Sequence, residues 1–407
     1  MALYAGKSFS QAPPGLRRSL LQWKFKVSWK LKRVAASIAE KVGAGRLLLL
    51  KAGTVSAEND RGLSSNFLLL HPPETIVFGD PAEDSFLRSC QSIREGRMSR
   101  GNIFVCELES ALFYPEEGVV LNRDRNVVIE SILDDDRLSG AQVVFKPLRW
   151  TRRAGTFSSI QHLWPRNNWH WMVDFLPQLH SLERAMAGRE LTLLMPDSLS
   201  TFNRESLDSV LPDNFKVEYV SSKRWIHVDR FVLPSHVSRR FNGYLPPEYY
   251  QFIRESPFKR LGVEKPAKAS RRYYISRNGA AHRRVRNEDE VMQMLTEFGF
   301  EWILIEKFSM KEQVEIFRSA EAIISPHGAA FGGVMFSDNL KMCVLYPEAR
   351  PGAYFYTLAR GMGHQHFAVH SNVGEDDDFD VDVQELRRVV SSEMKLETVK
   401  PATAVVQ

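Results

Sequence analysis

A chain of 407 residues is longer than one hydrophobic core usually serves, about 250–300 residues, so two domains are expected. Hydrophobic residues make up 43% and charged residues 25%, which excludes fibrous and disordered classes for the bulk of the chain. The net charge of +5 gathers near the start, where Arg17, Arg18, Lys24, Lys26, Lys30, Lys32, Arg33, Lys41 and Arg46 face one acid, Glu40. Residues 15–43 carry this charge on a pattern between helix and strand. It suits peripheral contact with an anionic membrane through residues 15–45, or a solvated basic helix. Nucleic acid is not an expected partner, because these cations precede the folded body instead of alternating with aromatics on one platform.

Three widely spaced cysteines, Cys90, Cys106 and Cys343, offer neither a disulfide framework nor a metal-ligand spacing. A reducing, cytoplasmic setting is expected, peripheral to the inner face of a membrane if the basic segment binds there. No apolar run approaches the 18 or so residues of a spanning helix, and Leu47–Leu50 is too short for a secretory core.

In chain order, strands are expected at Asn66–His71, Asn102–Glu107, Gly118–Leu121, Asn126–Glu130 and Gln142–Phe145. The run Asp134–Asp136 suits a solvated turn. From about residue 160 strands alternate with helices: helix Trp169–Glu183, strand Leu191–Leu194, helix Thr201–Val210, and strands Lys216–Tyr219 and Arg230–Leu233. The proline-bearing stretch 242–270 places a boundary near Lys259–Ser270. A second series follows: strand Arg272–Ser276, helix Glu288–Phe298 closed by Gly299, strand Glu301–Ile305, helix Lys311–Arg318 capped by Ser309, strand Ala322–Ser325, a helix opening within Gly328–Phe336, and strand Cys343–Tyr346. An acidic run, Glu375–Asp378, precedes a last helix near Val383–Lys395. The expected division is a basic segment 1–50, lobes 51–260 and 261–370, and a tail 371–407.

Three motifs carry chemistry. In Ser325-Pro326-His327-Gly328-Ala329-Ala330, a buried strand ends in a loop of small residues that opens a helix. Free N–H groups at such a start attract phosphate, and His327 can donate to it. It is neither a Walker loop nor a dinucleotide fingerprint. The second motif follows a neighbouring strand and sets Arg277, Arg283, Arg284 and Arg286 before Asn287, the expected cap of the next helix. Guanidinium forks match phosphate, so both loops can face one diphosphate, against the plainer alternative of a solvated basic loop. In the third, His170 and Asp174 stand four apart on a helix, either as a general base with its carboxylate or as a surface pair.

Together these motifs resemble the family 61 glycosyltransferases over roughly residues 115–350. The resemblance rests on His170, Trp171 and Asp174, on Ile275, Ser276, Arg277, Asn287 and Glu288, and on Pro326 to Ala329. It implies an α/β fold of the GT-B type, two Rossmann-like lobes facing a cleft. It also implies inverting transfer from a nucleotide sugar to a glycan or polysaccharide hydroxyl, with no cofactor or essential metal. In that role Asp174 or His170 is the base. Arg277 and the loop Pro326, His327, Gly328, Ala329 bind the diphosphate, with Arg283, Arg284 or Arg286 as a second contact, and Glu306 meets ribose or base. Phe331, Gly332 and Gly333 depart from the Leu and Asn common after the family's Pro-His-Gly-Ala block. A catalytically silent carbohydrate- or nucleotide-binding protein on the same fold is the alternative.

Overall fold

The computed structural model describes residues 54–79, 95–132, 150–160, 167–238, 243–264, 268–347, 352–371 and 378–399, with residues 86, 90, 93 and 266 between them. The basic segment 1–50, the run Asp134–Asp136 and the strand expected at Gln142–Phe145 lie outside these residues.

Among the described residues, eleven strands precede the proline-bearing stretch: β1 (Thr54–Val55), β2 (Asn66–His71), β3 (Glu74–Val77), β4 (Arg97–Arg100), β5 (Ile103–Tyr114), β6 (Val119–Leu121), β7 (Val127–Val128), β8 (Trp150–Ser158), β9 (Leu191–Pro196), β10 (Phe215–Val220) and β11 (Trp225–Pro234). β3 and β4 form an antiparallel ribbon; the others make one nine-stranded sheet, β1-β7-β6-β5-β11-β8-β9-β10, with β2 also on β5. β11, β8, β9 and β10 run parallel, whereas β2, β5 and β6 pair antiparallel. This corrects the expectation of two Rossmann-like sheets. Tight connections such as the turn at Gly118 (φ 72°) can only join antiparallel neighbours, and parallel pairs need a crossover. Such crossovers separate β8, β9 and β10. The first is α1, which starts as Asn168–His170, widens at Trp171–Phe175 and continues as Gln178–Met186. The second is α2 (Thr201–Val210), capped by Ser200.

The proline-bearing stretch taken as a boundary is largely helical: α3 spans Pro247–Leu261. Pro247 sits at the first helical position, where its missing N–H costs nothing, and Gly262 (φ 63°) ends the helix. Tyr249, Tyr250 and Ile253 bury its inner face.

The second sheet is wholly parallel: β12 (Arg271–Ile275), β13 (Phe300–Ile303), β14 (Ala320–Pro326), β15 (Lys341–Tyr346) and β16 (Gln365–His370), in the order β13-β12-β14-β15-β16. Its faces alternate with period two. Tyr274, Ala322, Ile324, Cys343 and Leu345 pack with α4 (Glu288–Thr296). Tyr273, Ile275, Ile323, Met342 and Val344 pack with α5 (Met310–Ser319), a 3-10 helix (Ala329–Phe336) and α6 (Tyr354–Met362), in a core continuous with α1 and α3. α5 opens with a capping box between Ser309 and Glu312. The expected last helix is α7 (Val383–Arg388), widening at Val389–Glu393, and it closes the α4 face.

Gly332 and Gly333 explain the departure at the 3-10 helix. A Cβ on Gly332 would lie 3.2 Å from Met172 Cβ, so glycine lets α1 approach. A Cβ on Gly333 would fall 2.0 Å from the ring of Phe317, itself in the core. Gly333→Ala is therefore expected to cost about 1–3 kcal/mol by overpacking, measured by denaturant unfolding. An unchanged midpoint would refute the close contact.

His364 anchors the far end of the 3-10 helix. Leu340 N–H donates to its Nδ1 (3.3 Å), and its Nε2–H donates to Val334 O (3.2 Å). Burial lowers its pKa from 6.5 to about 4. A depressed imidazole contributes stability that is present above pH 6.5 and lost as the pH falls through 4, here roughly 3 kcal/mol. His364→Gln can keep both hydrogen bonds without titrating. Unfolding followed from pH 7 to pH 4 should lose less stability in the variant; equal losses would exclude His364.

Candidate active site

In the second sheet β12 lies between β13 and β14, so the chain order reverses between β12 and β14. Open α/β sheets bind ligands in the crevice outside the carboxyl ends of strands at such a switch point. The loops leaving these two strands carry Arg277 and His327. The N-terminal turn of α1 meets them, and a cavity of about 420 Å³ opens between. His170, Arg277, Arg283, His327, Gly328 and Ala329 line it, together with Asn167, Trp169, Tyr354 and Phe355.

Asn167 caps α1 by accepting from Trp169 N–H (3.0 Å). Leu176 N–H donates to Trp171 O, five residues back (3.0 Å), which widens the turn holding Asp174. Asp174 is fully buried, and its Oδ2 lies 2.7 Å from His170 Nδ1. The surface-pair alternative is thus overturned. Burial raises the Asp174 pKa, and the His170 hydrogen bond pulls it back. With Nδ1–H donated to this carboxylate, His170 keeps the lone pair on Nε2. The residue that reaches the cavity is His170, with Asp174 behind it.

On the other wall, Arg277 follows β12 and donates from Nη2 to His282 O (3.1 Å). Among the described residues no carboxylate lies within ion-pair distance of Arg277 or Arg283. Burial, reinforced by Arg283, lowers the Arg277 pKa, and Glu306 partly offsets this. The guanidinium nonetheless keeps its charge. It lies so close to Gly328 that a Cβ there would be 2.1 Å from Nη1. Gly328 has extended backbone (φ −171°, ψ 171°), so it is space that glycine supplies. His327 N–H is held by Leu345 O (2.9 Å), and its ring meets Phe355 edge-on at 5.0 Å.

The arginine loop divides. Arg283 has left-handed backbone (φ 60°) and lines the cavity. Arg284 instead binds Asp378 (Nε–Oδ2 2.9 Å), and Arg286 binds Asp380 (3.0 Å). Asn287 exchanges hydrogen bonds with the Val381 backbone, at 2.9 Å each way, and its side chain caps nothing on α4. Arg284 and Asn287 therefore tie down residues 378–381 instead of lining the cavity. Glu306 lies behind the Arg277 loop, against Gly279, and Pro326 is buried as the last residue of β14. Trp169, Tyr354 and Phe355 were not anticipated as lining residues. The strand–helix alternation does signal a helix after β15, where Tyr354 and Phe355 lie.

Residues 169–350 match the family model Glycosyltransferase 61. This segment is a family 61 glycosyltransferase domain. The match contains His170, Asp174 and the loops that carry Arg277 and His327, and it begins well after the expected residue 115. No curated protein matches the chain. Among solved structures, the dodecameric iron-containing heptosyltransferase TibC, in complex with ADP-D-beta-D-heptose, is similar over 67% of this chain and 80% of that one, with 10% identity and a TM-score of 0.28. That likeness is too distant to assign residues. No helix among the described residues of the glycosyltransferase is long and apolar enough to cross a membrane.

Proposed function

We propose that this glycosyltransferase moves a sugar from a nucleotide-sugar donor to a hydroxyl of a glycan or polysaccharide acceptor, inverting the anomeric carbon. His170 Nε2 takes the acceptor proton as the acceptor oxygen bonds to the anomeric carbon. The bond from that carbon to the diphosphate breaks on the opposite face, and its electron pair leaves on phosphate oxygen. Arg277, Arg283 and the His327 loop meet the growing negative charge with charge-assisted hydrogen bonds. Asp174 fixes the imidazole tautomer and balances its charge. In this reading the two sheets are the lobes of a GT-B-type enzyme, and the cavity is their cleft.

One observation carries the reading: a carboxylate-held imidazole and two guanidinium groups, neither within ion-pair distance of a carboxylate among the described residues, line the same cavity. Guanidinium groups stand where the leaving diphosphate needs cations, so activity is expected to survive a chelator. The test is a panel of nucleotide sugars scored by thermal stabilisation, since a ligand of the native state raises its stability by mass action. The stabilising donor is then turned over with and without EDTA, and the product anomer is read by NMR. No stabilisation by any donor, or retained anomeric configuration, would sink the proposal. Membrane contact through residues 15–45 belongs to the same reading; co-sedimentation with anionic vesicles should fall when residues 1–45 are deleted.

A further inference from the structure

Helix α4 begins with a buried carboxylate that gathers four donors from three parts of the second sheet. Glu288 Oε1 accepts from the hydroxyls of Tyr274 (3.0 Å) and Ser276 (2.8 Å). Its Oε2 accepts from Asn278 Nδ2 (2.5 Å) and Trp302 Nε1 (3.2 Å). Ser276 and Asn278 are the residues on either side of Arg277, and Asn278 N–H also donates to Ser276 Oγ (3.1 Å). The Arg277 guanidinium holds little itself: Nη2 reaches His282 O, and the buried Nε has no hydrogen-bond partner among the described residues. Its direction must therefore come from the backbone on either side.

We propose that Glu288 is the positioning residue for Arg277, fixing the strand-to-loop turn so that the guanidinium lies beside Gly328 and into the cavity. A carboxylate at a helix start is favoured by the helix dipole alone. That explanation needs none of the donors from β12, its loop and the end of β13. An orienting shell of this kind holds a functional group in one pose and leaves its charge free for the ligand. The proposal rests on the reading of Arg277 as a diphosphate-binding side chain.

Glu288→Gln keeps the shape but removes the charge and one acceptor, so its NH2 must face either the N–H donors of Asn278 and Trp302 or the two hydroxyls, which then have to turn to accept. Two measurements test it: the Arg277 pose in a crystal structure of the variant, and calorimetric binding of UDP, GDP, CDP and ADP. The guanidinium is expected to leave its place beside Gly328. The Kd of the tightest diphosphate is expected to rise about tenfold, the scale of one lost charge-assisted hydrogen bond. In an Arg277→Ala background the same change should add no further loss, because the two act through one contact. An unmoved Arg277, or additive losses, would overturn the positioning role. Diphosphate binding that ignores Arg277→Ala would instead overturn the functional reading, while the crystal structure still judges Glu288. If Glu288→Gln does not fold, Asn278→Ala removes one flanking tether and carries the same test.

Discussion

Arg277→Ala is expected to lower kcat/KM by about 10²–10³-fold, the usual effect of removing one preorganised group aimed at developing charge. The side chain is half-buried and lies against Gly328, and among the described residues no carboxylate stands within ion-pair distance of it, so its charge is available to a ligand. Arg277→Lys should recover only part of the loss, since an ammonium is a point charge and cannot grip two phosphate oxygens as a fork. Gly328→Ala gives an independent check. The extended backbone accepts alanine, so the guanidinium must yield to the new methyl. Activity should then fall while the melting temperature holds. Unchanged kcat and KM in Arg277→Ala would remove the phosphate role.

His170→Ala is expected to reduce kcat by about 10²–10⁴-fold, the range for a general base. Asp174→Asn should fall in the same range, because an amide can donate to Nδ1 and so move the imidazole proton onto Nε2, the nitrogen that must accept. Binding of the donor should survive both changes, since the diphosphate contacts lie on the other wall. Full activity in Asp174→Asn would mean that the carboxylate only packs. Full activity in His170→Ala would place the base elsewhere.

Much of the second sheet was legible because its strands are buried on both faces and read as apolar runs, as at Ile323–Ile324 and Met342–Leu345. The loops at their carboxyl ends could be placed for the same reason. The three loop arginines could not be told apart, because Arg283, Arg284 and Arg286 are chemically alike in sequence. What separates them is the left-handed backbone at Arg283 and the acids Asp378 and Asp380, which arrive from about 94 residues away. The burial of Asp174 depends on packing between α1 and the 3-10 helix, which no local pattern encodes. α6 was missed because Gly361 and its aromatics make a poor local helix signal, which leaves only the strand–helix alternation to mark it. It persists because that glycine admits Tyr250: a Cβ there would meet the Tyr250 hydroxyl at 2.2 Å.

The wide turn at Trp171–Phe175 also makes the site sensitive to counting. A π turn holds one residue more than the α turn it replaces, the mark left by a single-codon insertion. Deleting one residue there would let an ordinary helix close, swinging the imidazole by roughly 100° relative to Gln178–Met186. A lineage could thereby silence this enzyme without altering the chemistry of any remaining side chain.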